Sequence, residues 1–268
     1  MLGILQDLAN KLLGIKSGIR MNHKLNTIYF KDGEDLYVSL KIFDLCTYIR
    51  RFEPSLVRDV SKFKITYMSL LNSIWKASIV FDKIEFSRHL FNRKQIVDMQ
   101  HAGFVRTDIE HFHIIVRSSM DYVIEILANL LNFKIQNSSF SRFRNTIHEK
   151  EDVLGQDISD LIKNTEWYSK LTKVRNKLIH SGAETPVYFN EGNGTVFEID
   201  LNEGVKGEMH IFEEYAVEYY SEYLYFLDKI GELLIDKLVL KSLPPKFRIS
   251  GQGIKVLSHW ANSQSFYA

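Results

Sequence analysis

Three side chains that could act on a phosphate group lie within six residues of one another, in the run RNKLIHSG at positions 175–182. Arg175 supplies a planar, permanently charged guanidinium that suits a phosphate oxygen. His180 can exchange a proton near neutral pH, and a place near a helix C-terminus favours its imidazolium form. Asn176 can orient either group. A transferable proton beside an anion-stabilising cation is the minimum for metal-free RNA cleavage, in which the 2′-hydroxyl attacks its own phosphate.

The helix that must position these groups is predicted over residues 165–181, and Gly182 is placed to end it. At about 100° per residue its apolar side chains form one narrow stripe, which we expect to be buried: Trp167, Leu171, Val174 and Leu178. Asn176 and His180 lie nearly opposite this stripe, and Arg175 lies on its flank. An ordinary amphipathic helix also has polar residues on its outer face and basic residues near its C-terminus. Spacing alone leaves both interpretations open.

The run from Arg175 to His180 resembles the R-N-x-x-x-H form of the R-x(4–6)-H signature of the HEPN superfamily, the higher eukaryotes and prokaryotes nucleotide-binding domains. The long helix predicted before the run, the small residues after His180 and the final long helix match a four-helix HEPN bundle. The segment DIEHFHIIVRSSMDYV is similar to the second-helix pattern of some bacterial HEPN families. The resemblance covers about residues 100 to 240, and residues 1–95 carry no motif that we can place.

The resemblance implies a metal-independent endoribonuclease that needs no cofactor. In such enzymes the motif Arg and His are the catalytic pair, so Arg175 and His180 are expected to be catalytic, with Asn176 supporting them. Two HEPN domains usually pair to form one composite site, which implies RNA as substrate and a homodimer. Such proteins act as toxins, in phage defence or in RNA processing, so an antitoxin or another protein partner is a further expectation.

Two other interpretations remain open. Some HEPN proteins lack nuclease activity and bind RNA, a nucleotide or a protein partner. The chain could also be a helical scaffold in which RNKLIHSG is only a polar helix end. In that case the chain is a monomer, or a dimer whose motif helices lie far apart.

A second set of polar residues recurs every four positions on the preceding helix: His113, Arg117, Asp121 and Glu125. Its ordinary explanation is a solvated charged face. The functional explanation places Arg117 and Asp121 beside the motif helix. Asp121 would then hold Arg175 or His180, and Arg117 would meet an RNA phosphate. His111 and His113 are two residues apart and point to different faces, so we expect no metal site there.

The segment SRFRNTIHEK, at residues 141–150, is a near copy of the motif. Its Arg142 and Arg144, with Lys134, are candidates for a basic lip that contacts RNA, and an exposed polar loop is the alternative. Lys173 and Lys177, on the motif helix, are further candidates for RNA contacts.

The formal net charge of +1 over 268 residues gives no global attraction to a polyanion, so any RNA site must be a local patch. Cys46 is the only cysteine, which excludes an intramolecular disulfide and fits a reducing compartment, so we expect a cytoplasmic protein. No run approaches the roughly 20 apolar residues of a membrane span. Residues 1–16 resemble neither a signal peptide nor an anchor and predict a short amphipathic helix packed on its own domain, with no membrane contact.

The predicted fold is mainly α: an HEPN-like helical bundle with a small β-hairpin near the N-terminus and a β-hairpin or meander inserted before the last long helix. The hairpin is predicted around Asp32-Gly33 within residues 26–43. Residues 55–100 have helical periodicity, with an expected core stripe of Leu56, Val60, Phe63, Tyr67, Leu70, Leu71 and Ile74.

Thr107 and Glu110 form a capping box, which predicts that the next helix begins there and continues to residue 132. Residues 133–160 allow two short helices. The β insertion is predicted over 185–212 and the last helix over 213–240, ended by Leu243-Pro244-Pro245. We divide the chain into an N-terminal region at 1–95, the bundle at 96–240 and a tail at 241–268.

Overall fold

The computed structural model describes residues 29–32, 35–38, 40–92, 99–135, 138–180, 187–190, 194–199 and 208–238. The hairpin strands are β1 (Tyr29–Asp32) and β2 (Asp35–Val38), and the later strands are β3 (Val187–Asn190), β4 (Gly194–Ile199) and β5 (Glu208–Ile211). The helices are α1 (Lys41–Phe52), α2 (Val60–Asn92), α3 (Met99–Leu130), α4 (Phe140–Asn145), α5 (Glu151–Leu154), α6 (Gln156–Lys163), α7 (Glu166–His180) and α8 (Phe212–Lys237). Short 3₁₀ turns occupy Pro54–Leu56 and Ile147–Lys150. The mainly helical class is confirmed.

Both predicted β regions form. β1 and β2 pair antiparallel with Asp32 opposite Asp35, as the Asp32-Gly33 turn signal predicts. β3, β4 and β5 form an antiparallel meander in chain order, with Val196 of β4 opposite Ile211 of β5. The meander joins the motif helix α7 to α8.

The long helices α2 and α3 lie antiparallel and pack along their length. Two polar contacts between α2 and α3 show how the helices are aligned. Lys83 pairs with Asp108, and Thr66 donates to Glu125 at 3.1 Å. α8 packs against α1, α3 and α7, and residues on both sides of the expected boundary near residue 95 contribute to one hydrophobic core. The largest fully buried side chains of that core are aromatic: Phe63, Phe112, Phe140, Tyr168, Phe197, Phe212, Tyr223 and Phe226.

The start of α3 corrects the prediction made from the capping box. The helix begins at Met99, and Thr107 lies within it, donating its hydroxyl to the carbonyl of Gly103 at 3.0 Å. Glu110 binds Arg106 at 3.1 Å instead of reaching back to a helix start. Val105, in this first part of the helix, is buried in the core, and a local cap signal does not register such tertiary support.

The core stripe predicted for α2 is right in its middle and wrong at its start. Phe63, Tyr67, Leu70 and Ile74 are buried, and Leu71 is partly buried. Leu56 and Val60 are exposed instead, because Leu56 belongs to the 3₁₀ turn that begins at Pro54 and α2 starts only at Val60. A 3₁₀ turn has three residues per turn and an α-helix has about 3.6, so Leu56 does not lie on the face that α-helical spacing predicts.

The four polar residues of α3 do not form one solvated face. His113 is wholly buried, and its Nδ1 lies 2.7 Å from the carbonyl oxygen of Ile109. Since a carbonyl only accepts, Nδ1 donates, and Nε2 of the neutral ring then accepts from the Tyr215 hydroxyl at 2.8 Å. This contact ties α3 to α8. Glu125 faces α2, where it accepts from Thr66 and pairs with Lys62 at 3.7 Å.

The first turn of α1 is held by α8. Asp228 accepts the backbone amide of Lys41 at 2.8 Å, so a side chain from another helix takes the place of a local N-cap. Gly231 permits the close approach, because a Cβ there would lie 2.1 Å from the backbone nitrogen of Ile42.

Among the helices that the structure describes, none is long and apolar enough to cross a bilayer. The predicted N-terminal amphipathic helix, the Leu243-Pro244-Pro245 stop and the tail at 241–268 lie outside the described residues.

Candidate functional site: an arginine pair between two helices

The motif helix forms as predicted, from Glu166 to His180. Leu171, Val174 and Leu178 are buried, and Trp167 is partly buried, which confirms the stripe. The stripe was incomplete, however, because Tyr168 is also buried.

Tyr168 lies seven residues before Arg175, almost two full turns, and therefore on the same side of α7. This spacing was visible in the sequence and indicated that Arg175 lies at the edge of the core. The hydroxyl of Tyr168 accepts from Ser141 at 3.3 Å.

Arg175 and Asn176 are joined directly. An Nη1 hydrogen of Arg175 is donated to Oδ1 of Asn176 at 3.0 Å. Arg175 is half-buried, and Asn176 is exposed, so the guanidinium is drawn from the core edge toward the outer face of the helix. The predicted supporting role of Asn176 thus corresponds to a contact in the structure.

The backbone of His180 completes the helix, five residues beyond Arg175. That separation corresponds to a rise of about 7.5 Å and a rotation of about 140°. The side chain of His180 lies outside the described part of the chain.

A second arginine approaches Arg175 from α3. Burial and the like charge of Arg117 together lower the pKa of the Arg175 guanidinium, and Tyr168 acts in the opposite direction. The buried Nε of Arg117 has no hydrogen-bond partner among the described residues, and the charge of Arg117 also acts on the carboxylate of Asp121. Two cations therefore lie close enough at the α3–α7 interface to repel one another. Such a place favours a bound anion, because the anion would relieve the repulsion.

The contact that the structure shows for Asp121 is with α4 and not with Arg175. Its Oδ1 accepts the backbone amide of Phe140 at 2.7 Å, which fixes the first turn of α4. Burial raises the pKa of Asp121, while the Phe140 amide and Arg117 lower it. In the described structure this carboxylate makes no hydrogen bond or ion pair with Arg175, so its contact is structural.

The candidates for RNA contacts fall into two groups. Arg142 and Lys173 are exposed, and Lys177 is partly exposed, so these three are accessible to a ligand. Arg144 instead makes a hydrogen bond within the chain. Its Nη1 donates to the carbonyl of Thr165 at 2.9 Å, next to the start of α7. The segment SRFRNTIHEK forms α4 and a 3₁₀ turn, which corrects the alternative of an exposed loop.

The tyrosines of α8 belong to the core. Tyr215, Tyr219, Tyr220 and Tyr223 are buried, and Tyr225 is partly buried. They cannot form an exposed platform on which bases stack.

No protein-family model, curated protein sequence or solved structure matches this chain. The site is therefore interpreted from its own residues.

Proposed function

We propose that the chain is a metal-independent endoribonuclease of the HEPN type, active as a cytoplasmic homodimer, in a toxin or phage-defence role. The observation that carries the proposal is the arginine pair. Arg117 of α3 and Arg175 of α7 lie close enough to act on one another electrostatically, and the buried Nε of Arg117 has no hydrogen-bond partner in the described residues. Placing like charges together at a half-buried site costs stability, and binding a phosphodiester there would offset that cost.

The reaction assigns one role to each motif residue. The 2′-oxygen forms a bond to phosphorus, the bond from phosphorus to the 5′-oxygen breaks, and a 2′,3′-cyclic phosphate and a 5′-hydroxyl result. Arg175 stabilises the charge that develops on the pentacoordinate phosphate, and Asn176 holds its guanidinium in place. His180 moves a proton to or from the reacting oxygens.

A homodimer supplies what one chain lacks. The 2′-hydroxyl must lose a proton and the 5′-oxygen must gain one, and a single His180 in one protonation state performs only one of these steps at a time. A second copy that faces the first across a two-fold axis adds a second His180. The accessible cations Arg142, Lys173 and Lys177 would guide RNA into this composite site.

Cleavage of mixed RNA by purified protein, with a metal chelator present, tests the proposal. Wild type should cleave, and Arg175→Ala or His180→Ala should abolish cleavage while leaving the fold intact. Lys170→Ala is the matched control, because Lys170 is an exposed cation on the same helix outside the motif. Continued cleavage by both motif variants would refute the proposal.

The second candidate is a non-catalytic module that binds RNA or a nucleotide. The arginine pair supports it equally, since two guanidinium groups bind a phosphate without any proton transfer. This candidate predicts phosphate-dependent binding that Arg175→Ala and Arg117→Ala weaken, with no cleavage by the wild type. An antitoxin or other protein partner would emerge from affinity capture on the folded protein.

A further inference from the structure

An exposed apolar stripe runs along the outer face of α2. Its four main members have large exposed fractions: Ile65 67%, Met68 37%, Trp75 56% and Phe86 47%. At 100° per residue these four residues lie within about 80° of one another, and over 21 residues the stripe extends about 32 Å. The four residues therefore lie on one side of one helix, with Asn72 and Ile79 between them on the same side.

The same helix already buries its opposite face. Phe63, Tyr67, Leu70, Ile74, Ala77, Val80 and Ile84 are all buried in the core. A helix at the surface of a single chain needs only one apolar stripe. A second stripe on the outer side is typical of a contact with another molecule.

We propose that this stripe binds the same stripe of a second copy of the chain, with the two α2 helices antiparallel about a two-fold axis. Such an axis requires a surface that is complementary to itself. The stripe meets this requirement when the axis passes between Trp75 and Lys76. Ile65 is ten residues before Trp75 and Phe86 is ten residues after Lys76, so each Ile65 faces Phe86 of the second copy. The two Trp75 side chains meet beside the axis.

The charges along the stripe are compatible with this register. Met68 and Lys83 are each seven residues from the central pair, so Met68 faces Lys83 of the second copy. The charge of Lys83 is already balanced by Asp108 within its own chain. Its aliphatic part can therefore cover the methionine without leaving an uncompensated cation at the contact.

The area is of the size that an interface centre needs. Large aromatic side chains bury about 150–250 Å² each, so four residues exposed by roughly half present on the order of 400 Å². A standard interface buries about 800 Å² per partner, with an apolar centre and a polar rim. The stripe supplies the centre, and exposed polar residues of α2 on either side of it, Lys64 and Lys76, supply a rim.

The stripe and the arginine pair lie on different sides of the molecule. Asp108 faces α2, and Arg117 follows it by nine residues, which is half a revolution around α3. Pairing through α2 therefore leaves the motif helix accessible. It is compatible with the pairing in the proposed function.

Cysteine cross-linking of the full-length chain tests this pairing directly. Cys46, the only native cysteine, is buried, and burial raises the pKa of its thiol, so it does not interfere. Trp75→Cys should give a cross-linked dimer on mild oxidation. Ile65→Cys alone should not, because its symmetry mate is about 30 Å away. Ile65→Cys combined with Phe86→Cys should cross-link again.

Mass measurement by light scattering completes the test. Trp75→Glu should halve the mass of the wild-type particle with an unchanged circular dichroism spectrum, and Trp75→Phe should keep the mass. Met209→Lys is the matched control, because Met209 is a 67% exposed apolar residue on a different element, β5. The pairing is overturned if Trp75→Cys does not cross-link or if Trp75→Glu leaves the mass unchanged. Efficient cross-linking by Ile65→Cys alone would overturn the antiparallel register.

Discussion

Acidification should destabilise the fold through His113, the buried imidazole that joins α3 to α8. Burial lowers the pKa of His113 from 6.5 to about 4, against a smaller raising effect of the Ile109 carbonyl. The unfolded chain therefore takes up a proton on this ring as the pH falls through about 6.5, whereas the folded chain does so only near 4. The stability that the neutral ring contributes is therefore fully present above pH 6.5. As the pH falls from 6.5 to about 4, the free energy of unfolding decreases by about 3 kcal/mol.

A carboxyl group acts in the opposite direction over the same pH range. Burial, with the charge of Asp228, raises the pKa of Asp44 to about 6. Protonation of Asp44 therefore stabilises the folded chain as the pH falls below about 6. For this reason the wild-type pH profile alone does not isolate the imidazole.

The contribution of the imidazole is isolated by the gap in unfolding free energy between the wild type and His113→Phe. The variant loses both ring hydrogen bonds and leaves the Tyr215 hydroxyl without its acceptor, so it should be less stable at neutral pH. It also has no ring to protonate, so the gap should narrow by about 3 kcal/mol as the pH falls from about 7.5 to about 4. Urea denaturation followed by circular dichroism measures the gap. A gap that does not change with pH would refute the reasoning.

Two further substitutions test how the helices are held. Gly231→Ala should cost about 1–3 kcal/mol of unfolding free energy in urea, because the new methyl group meets the backbone of Ile42 at 2.1 Å. Gly103→Ala, with nothing within 4 Å, should instead be stabilising, and equal effects would contradict the close approach. Asp121→Ala should lower the thermal midpoint by removing the acceptor of the Phe140 amide, and Asp121→Asn should largely retain it. RNA cleavage per folded molecule should be unchanged in both Asp121 variants, and a selective loss in Asp121→Asn would assign that carboxylate to the chemistry.

Local pattern was enough to predict most of the elements. The stripe of Leu171, Val174 and Leu178 located the buried face of α7, and the Asp32-Gly33 pair located the hairpin. These signals work because side-chain periodicity and turn chemistry act over a few residues. Element ends were less predictable. α3 stops at Leu130, where Asn132 adopts a φ of 52° and Phe133 donates to the Ala128 carbonyl, a left-handed termination at a residue other than glycine.

The tertiary contacts of polar residues were not predictable from spacing. His113 looked like part of a charged face, yet its hydrogen-bond partner, Tyr215, is 102 residues away in sequence. Asp121 was predicted to hold Arg175 or His180, and the contact that the structure shows for it is with the Phe140 amide. The meeting of Arg117 with Arg175 depends on the rotation of two helices about their axes, which the sequence of either helix leaves undetermined.

The chemical nature of the RNA ends tests the central proposal most directly. Purified wild-type protein, incubated with RNA in chelator, should leave 2′,3′-cyclic phosphate and 5′-hydroxyl ends, because the 2′-hydroxyl is the nucleophile. A matched RNA that lacks the 2′-hydroxyl only at the cleaved position should remain intact there, and Arg175→Ala should leave both RNAs intact. Ends carrying a 3′-hydroxyl and a 5′-phosphate, or cleavage at the deoxy position, would contradict the proposed chemistry.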